Sequence, residues 1–201
     1  AYGFHALETI QSLVEQRHGG ESGIASVRGV EGEAVWEAMD SGEVDAALFQ
    51  AAWSRLTTAN QPEAPNRKAV AAPRLFTLQY LDGLQVQLLE LNGAASEWTA
   101  AWQYQDAEKP IESSLFWTQE GRPGMHFTWL LNGIENMILT GIPSWPAERT
   151  LMTSGALDAM LQSLVAGGRE IKTPYLEIAY QSDWRWQAPP PPPPMRPWAE
   201  Q

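Results

Sequence analysis

A chain of 201 residues with 44% hydrophobic content is long enough to bury one sizeable core, and one domain is expected over residues 1–183. A net charge of -11 leaves no basic cluster to displace counterions from phosphate, which argues against nucleic acid as a partner. The lack of cysteine excludes disulfides and thiolate metal sites and suits a reducing cytoplasm. No apolar run approaches the roughly 20 residues that a membrane-spanning helix needs, so no membrane partner is expected.

The chain starts at Ala1 rather than methionine, inside a helical pattern with no cap ahead of it, which suggests a processed or truncated start. Leu7, Ile10, Leu13 and Val14 recur at helical spacing and predict an amphipathic helix to about Arg17, stopped by Gly19-Gly20. His5, Glu8, Thr9 and Ser12 then form a polar stripe on which His5 and Glu8 can touch. A carboxylate beside an imidazole favours its charged form and fixes the ring, which serves an acid or base working near neutral pH. An exposed ion pair on a helix surface is the plainer reading of the same two residues.

A short strand is expected over residues 23–30, then helical pieces at 33–39 and 44–56, and a Pro- and Asn-containing loop at 57–72. The period changes to two from Leu75. Runs 75–80 and 84–91 flank Asp82-Gly83, a dipeptide suited to a tight hairpin turn, and Asn92-Gly93 leads to further strands over 96–105 and 112–119. These strands predict an antiparallel meander of four or more. Phe127, Leu130, Leu131, Ile134 and Ile138 mark a helix closed by Gly141 and Pro143. Another helix starts near Pro146, with Leu151, Leu157, Met160, Leu161, Leu164 and Val165 as its apolar stripe, and ends at Gly167-Gly168. Residues 175–180 alternate and predict a last strand. Six prolines, Pro189 to Pro194, place residues 184–201 in an extended tail outside the fold. The sum is an α+β fold, a mostly antiparallel sheet with helices packed on one face.

No glycine-rich phosphate loop follows a strand, no Gly-x-Ser-x-Gly elbow occurs, and His5, His18 and His126 lack metal-ligand spacing, so no cofactor or metal is assigned to this chain alone. Ten tryptophans invite a carbohydrate platform at Trp98, Trp102 and Tyr104, although aromatics on one sheet face also pack under helices. His126 opens its helix and is a candidate to line a pocket. Pro191 to Arg196 fits a Pro-x-x-Pro-x-Arg ligand, as would any proline run near an arginine.

Gly3-Phe4-His5-Ala6-Leu7-Glu8 resembles the Gly-x-His-x-x-Asp helix in the C-terminal domain of the glucose-fructose oxidoreductase and inositol dehydrogenase family, Gfo/Idh/MocA. Phe127 to Gly141, Pro143, Glu148 and the run through Ser163, Gly167 and Gly168 resemble that domain's closing elements. Ala1 to Glu8, Glu31 to Trp36 and Pro146 to Tyr180 look similar to an uncharacterised bacterial branch of dehydrogenase-like proteins. The resemblance implies a Rossmann domain upstream that binds NAD or NADP, a sugar or polyol substrate, and homo-oligomers formed through the sheet. It assigns His5 as the substrate-side acid or base, with Glu8 where the family usually has aspartate. Gly3 would permit close backbone approach, and Tyr2, His126, Trp98 and Trp102 are the remaining candidate substrate contacts. Ala1 stands where the family commonly has another aspartate. Glu108-Lys109-Pro110 looks like the family's catalytic lysine motif but lies outside any nucleotide domain, so that role is not carried over.

Overall fold

The computed structural model describes residues 2–57, 63–106, 108–116 and 125–183; the proline-rich tail lies outside them. The chain divides into two compact units, one of residues 1–116 and 148–181 and the other of residues 117–147 and 182–201. The fold is α+β.

In the first unit, helix α1 (Tyr2–Val14) leads to strand β1 (Ile24–Glu31), helices α2 (Glu33–Asp40) and α3 (Ala46–Trp53), and strands β2 (Arg74–Tyr80), β3 (Gln85–Glu90), β4 (Trp98–Trp102) and β5 (Glu112–Phe116). The second unit carries α4 (Met125–Thr140), and the chain returns through α5 (Ala147–Val165) to strand β6 (Ile171–Lys172). The main sheet is antiparallel with strand order β3-β2-β1-β6.

Alternation decides which helices each side chain meets. Val27 on β1, Phe76, Leu78 and Tyr80 on β2, and Val86 and Leu88 on β3 share one buried cluster with Leu7 and Val14 of α1 and with Met152, Ala156, Ala159 and Met160 of α5. Val30, Leu75 and Leu89 join Val35, Ala38 and Val44 in a smaller cluster, and Trp36, Trp53 and Leu56 in a third meet Val70 and Leu91. Asp45 caps α3, its carboxylate accepting from the Ala47 and Leu48 amides.

The stripe expected on α5 only partly matches the face it buries: Met160 is buried and Leu157 and Leu164 pack against the core. Leu151, Leu161 and Val165 are exposed, and the buried face is Arg149, Met152, Thr153, Ala156, Ala159, Met160 and Ser163. Close approach explains the preference for small residues. A Cβ on Gly29 of β1 would lie 2.8 Å from the Phe76 ring and 3.3 Å from the Met160 carbonyl oxygen. Ser163 bonds helix to sheet, accepting from the Gly29 amide at 2.8 Å and donating to the Arg169 carbonyl at 2.6 Å.

The expected meander is two sheets, because β4 and β5 pair only with each other. The break follows β3. The Ala94 and Ala95 amides both donate to the Leu91 carbonyl, and Gly93, at φ 99°, comes so close to Ala69 that a Cβ would sit 2.2 Å from its carbonyl oxygen. The chain leaves the sheet edge there instead of adding a strand.

The β2–β3 hairpin stands where its turn dipeptide places it, with a three-residue loop. The Tyr80 amide donates to the Leu84 carbonyl and the Gly83 amide to the Tyr80 carbonyl, leaving Gly83 alone at positive φ. Residues 175–180 are not a strand. Pro174–Leu176 forms a single 3-10 turn that buries Leu176, and only Tyr180 bridges back to Glu21.

Candidate functional site

His5 lies on the exposed side of the first turn of α1, since Leu7 and Val14 turn the other face of the helix into the core. Its imidazole meets aromatic rings edge-on, with centroids 6.1 Å from Phe4 and 6.3 Å from Trp98. The structure therefore brings together two candidates chosen for separate reasons, His5 and Trp98. Trp98, Ala100 and Trp102 share one face of β4, with Phe116, Ser114 and Glu112 opposite them on β5. Both tryptophans are half-buried. Tyr104 lies beyond the end of β4, exposed, under the Lys109 ammonium at 4.7 Å from its ring centroid. The Glu108-Lys109-Pro110 segment is an exposed turn, in which the Lys109 amide donates to the Asp106 carbonyl.

Glu8 does not serve His5. Its carboxylate accepts from Thr153 Oγ1 at 2.6 Å and pairs with Arg149 Nε at 3.3 Å, while Arg149 also donates to the Glu8 carbonyl at 3.0 Å. A buried guanidinium on α5 outcompetes an exposed imidazole on the same helix, since charge attraction strengthens where water is excluded. Gly3 leaves ordinary contact distances, 3.5 Å to Glu90, Leu157 and Met160 for an added Cβ, so no glycine is demanded there. Tyr2 opens α1, and His126 stands on the first turn of α4 in the second unit.

The densest polar grouping is one that the sequence reading missed. Gln11 on α1 and Glu15 just past its end are buried beside Leu7 and Val14, and polar residues at those spacings inside an apolar stripe were the available signal. Glu15 takes a hydrogen bond from the Tyr180 hydroxyl at 2.8 Å and lies 3.6 Å from Arg149 Nη1. Gln11 donates to Glu21 and to the Tyr180 hydroxyl, and accepts from the Tyr80 hydroxyl at 3.0 Å. Glu21 also accepts from the Ser22 and Gly23 amides and from both terminal nitrogens of Arg17 at 3.2 Å. Arg17 extends the chain of contacts to Asp82 at 2.6 Å. Such a network fixes the register of α1 against α5, β2 and the returning segment 171–180.

The network has an alkaline signature. Burial pushes the Tyr80 hydroxyl far above the ordinary tyrosine range, reinforced by the Glu21 charge and opposed by Arg17. Tyr180 is raised as well, first by burial and then by its hydrogen bond to Glu15. Both tyrosines stay protonated in the fold while their unfolded counterparts ionise near pH ~10. Their stabilisation is thus fully present below that pH and is lost as pH rises above it. Urea midpoints should fall steeply above pH ~10, and the fall should shrink in Tyr80→Phe. A flat profile there would contradict the assignment.

Among the described residues, no three His, Asp or Glu side chains cluster as a metal site requires, and no helix is long and apolar enough to cross a membrane. The Asp40 carboxyl, held low by its hydrogen bonds from Arg67, and the Glu170 carboxyl, held low by Lys172, are surface pairs away from His5. No protein-family model, curated protein or solved structure matches this chain.

Proposed function

We propose that this chain is the substrate-binding and oligomerising domain of a Gfo/Idh/MocA-like oxidoreductase that acts in the cytoplasm on a sugar or polyol. The reading is supported by one observation above the others, an imidazole exposed on the first turn of α1 with its ring perpendicular to the Trp98 ring, centroids 6.3 Å apart. An aromatic face beside a proton acceptor is what a polyol needs, with apolar CH groups over the ring and a hydroxyl at the imidazole. The chain contains no Gly-x-Gly-x-x-Gly segment, so NAD or NADP would be held by a separate domain and would supply the hydride acceptor. His5 would take the proton from the substrate hydroxyl. Glu8, committed to Arg149, would position α1 and exchange no proton.

His5→Ala in the full-length protein should lower kcat about 100-fold or more, the usual worth of a positioned acid or base, with an unchanged unfolding midpoint. Equal turnover in the variant would remove the role.

A second reading is a non-catalytic carbohydrate-binding or assembly module. It is favoured by the same Glu8–Arg149 contact, which leaves His5 without the acidic companion that would tune it. Calorimetric titration of the isolated chain with monosaccharides separates the two. Binding that is lost in Trp98→Ala, joined with full turnover in His5→Ala, would support the module.

A further inference from the structure

Strands β4 and β5 form a two-stranded ribbon of their own, and its two faces differ. Helix α3 packs on both strands, and Arg55, just past its end, donates to the Ser113 hydroxyl at 2.8 Å. Ser113 pairs with Ala101, so the face of Thr99, Ala101, Ser113 and Leu115 is the one toward α3, and alternation puts Trp98, Ala100 and Trp102, with Glu112, Ser114 and Phe116, on the opposite face. Half-buried indoles thus stand at both ends of that face, with small side chains between them.

We propose, on the oxidoreductase reading above, that this face is an extended subsite and that the substrate is the end unit of a neutral, unbranched oligosaccharide, not a free monosaccharide. The first argument is span. Four residues along the strand carry Trp102 about 13 Å from Trp98, and one pyranose ring cannot cover both indoles. Three consecutive rings can, the outer two on the tryptophans and the middle one over Ala100 and Ser114.

The second argument is the pairing of apolar with polar groups. A sugar ring lays its CH face on an aromatic ring and keeps its hydroxyls at the rim, where they need acceptors. Glu112 stands directly across from Trp102, is exposed, and has no hydrogen bond or ion pair among the described residues. Its carboxylate is the acceptor at that end. At the other end the His5 ring stands perpendicular to Trp98 with centroids 6.3 Å apart, so the unit on Trp98 is the one whose hydroxyl meets the imidazole. The third argument is charge. The six residues of this face include one carboxylate and no cation, and the whole chain carries -11, so uronic acids and phosphorylated sugars are repelled. Neutral units fit.

Calorimetric titration of the chain compares cellotriose, chitotriose and xylotriose, each beside its own monosaccharide. At least one trisaccharide should bind about tenfold or more tighter than its monosaccharide, the worth of one further ring stacked on an indole and hydrogen-bonded at its rim. Trp102→Leu keeps bulk on the ribbon but removes the flat ring. It should abolish the trisaccharide advantage and leave monosaccharide binding unchanged, and Trp102→Tyr should restore most of the advantage. Trisaccharides that bind no tighter than their monosaccharides, or an advantage that survives in Trp102→Leu, would overturn the proposal. The subsite and the acid or base fail separately. Full turnover in His5→Ala with the advantage intact removes the proton acceptor and keeps the subsite, whereas lost turnover with no advantage keeps the proton acceptor and removes the subsite.

Discussion

Arg149→Met should cost about 3–5 kcal/mol and lower the thermal midpoint by roughly 10 °C. The guanidinium is 7% exposed in its side chain and faces Glu15, whose side chain is 0% exposed, and Glu8, at 23%. Methionine fills the space but leaves both carboxylates without a cation, and the one on Glu15 has no water to turn to. The loss therefore reflects an uncompensated buried charge more than the net worth of the ion pairs, which desolvation keeps small. The double variant Arg149→Met with Glu15→Gln separates these terms. The neutral amide introduced by the second change can still accept from Tyr180, so the pair should recover about half of the loss in calorimetry. A single variant within about 2 °C of the parent would show that the cluster is solvated and that this account of α1 and α5 is wrong.

Gly23→Ala should be nearly as severe, at about 2–5 kcal/mol by urea unfolding. Gly23 precedes β1 at φ 102°, where a Cβ is strained whatever the space. The space is also taken by backbone: the Leu176 carbonyl oxygen at 2.6 Å, the Ile178 nitrogen at 2.9 Å and the Glu177 Cα at 3.0 Å from the added carbon. None of these is a side-chain tip that can swing aside. Gly42→Ala is the control, with φ 81° and nothing within 4 Å of the new carbon. It should lose only the conformational cost, about 1–2 kcal/mol. Equal losses in the two variants would mean that segment 176–178 yields freely.

Local signals were readable from the chain, and choices among surfaces were not. The helix at residues 2–14, the β2–β3 hairpin and α4 follow from period and turn chemistry, because each is decided within a few residues. On α5, Met160, Leu157 and Leu164 of the expected stripe do face the core, but Leu151, Leu161 and Val165 outweigh the buried Ala156, Ala159 and Ser163 in hydrophobicity, while a β-strand glycine at position 29 fixes how near the helix must come. Trp98 and Trp102 on β4 gave a sound strand but no hint that it would leave the main sheet, which depends on Gly93 meeting Ala69. At the candidate site His5 was legible and its partner was not. Glu8 answers to Arg149, 141 residues away in sequence, and a spacing rule of three or four residues sees nothing at that range.

The clasp between α1 and Tyr180 also dictates when this protein can mature. Tyr180 reaches Glu15 across 165 positions and Gln11 across 169, so on a growing polypeptide Glu15 waits for its tyrosine hydroxyl until the segment after α5 has been made. The closure joins segments far apart in sequence, and such long-range pairing slows folding. Until Tyr180 arrives, the contacts of Glu15 and Gln11 with that hydroxyl stay unmade.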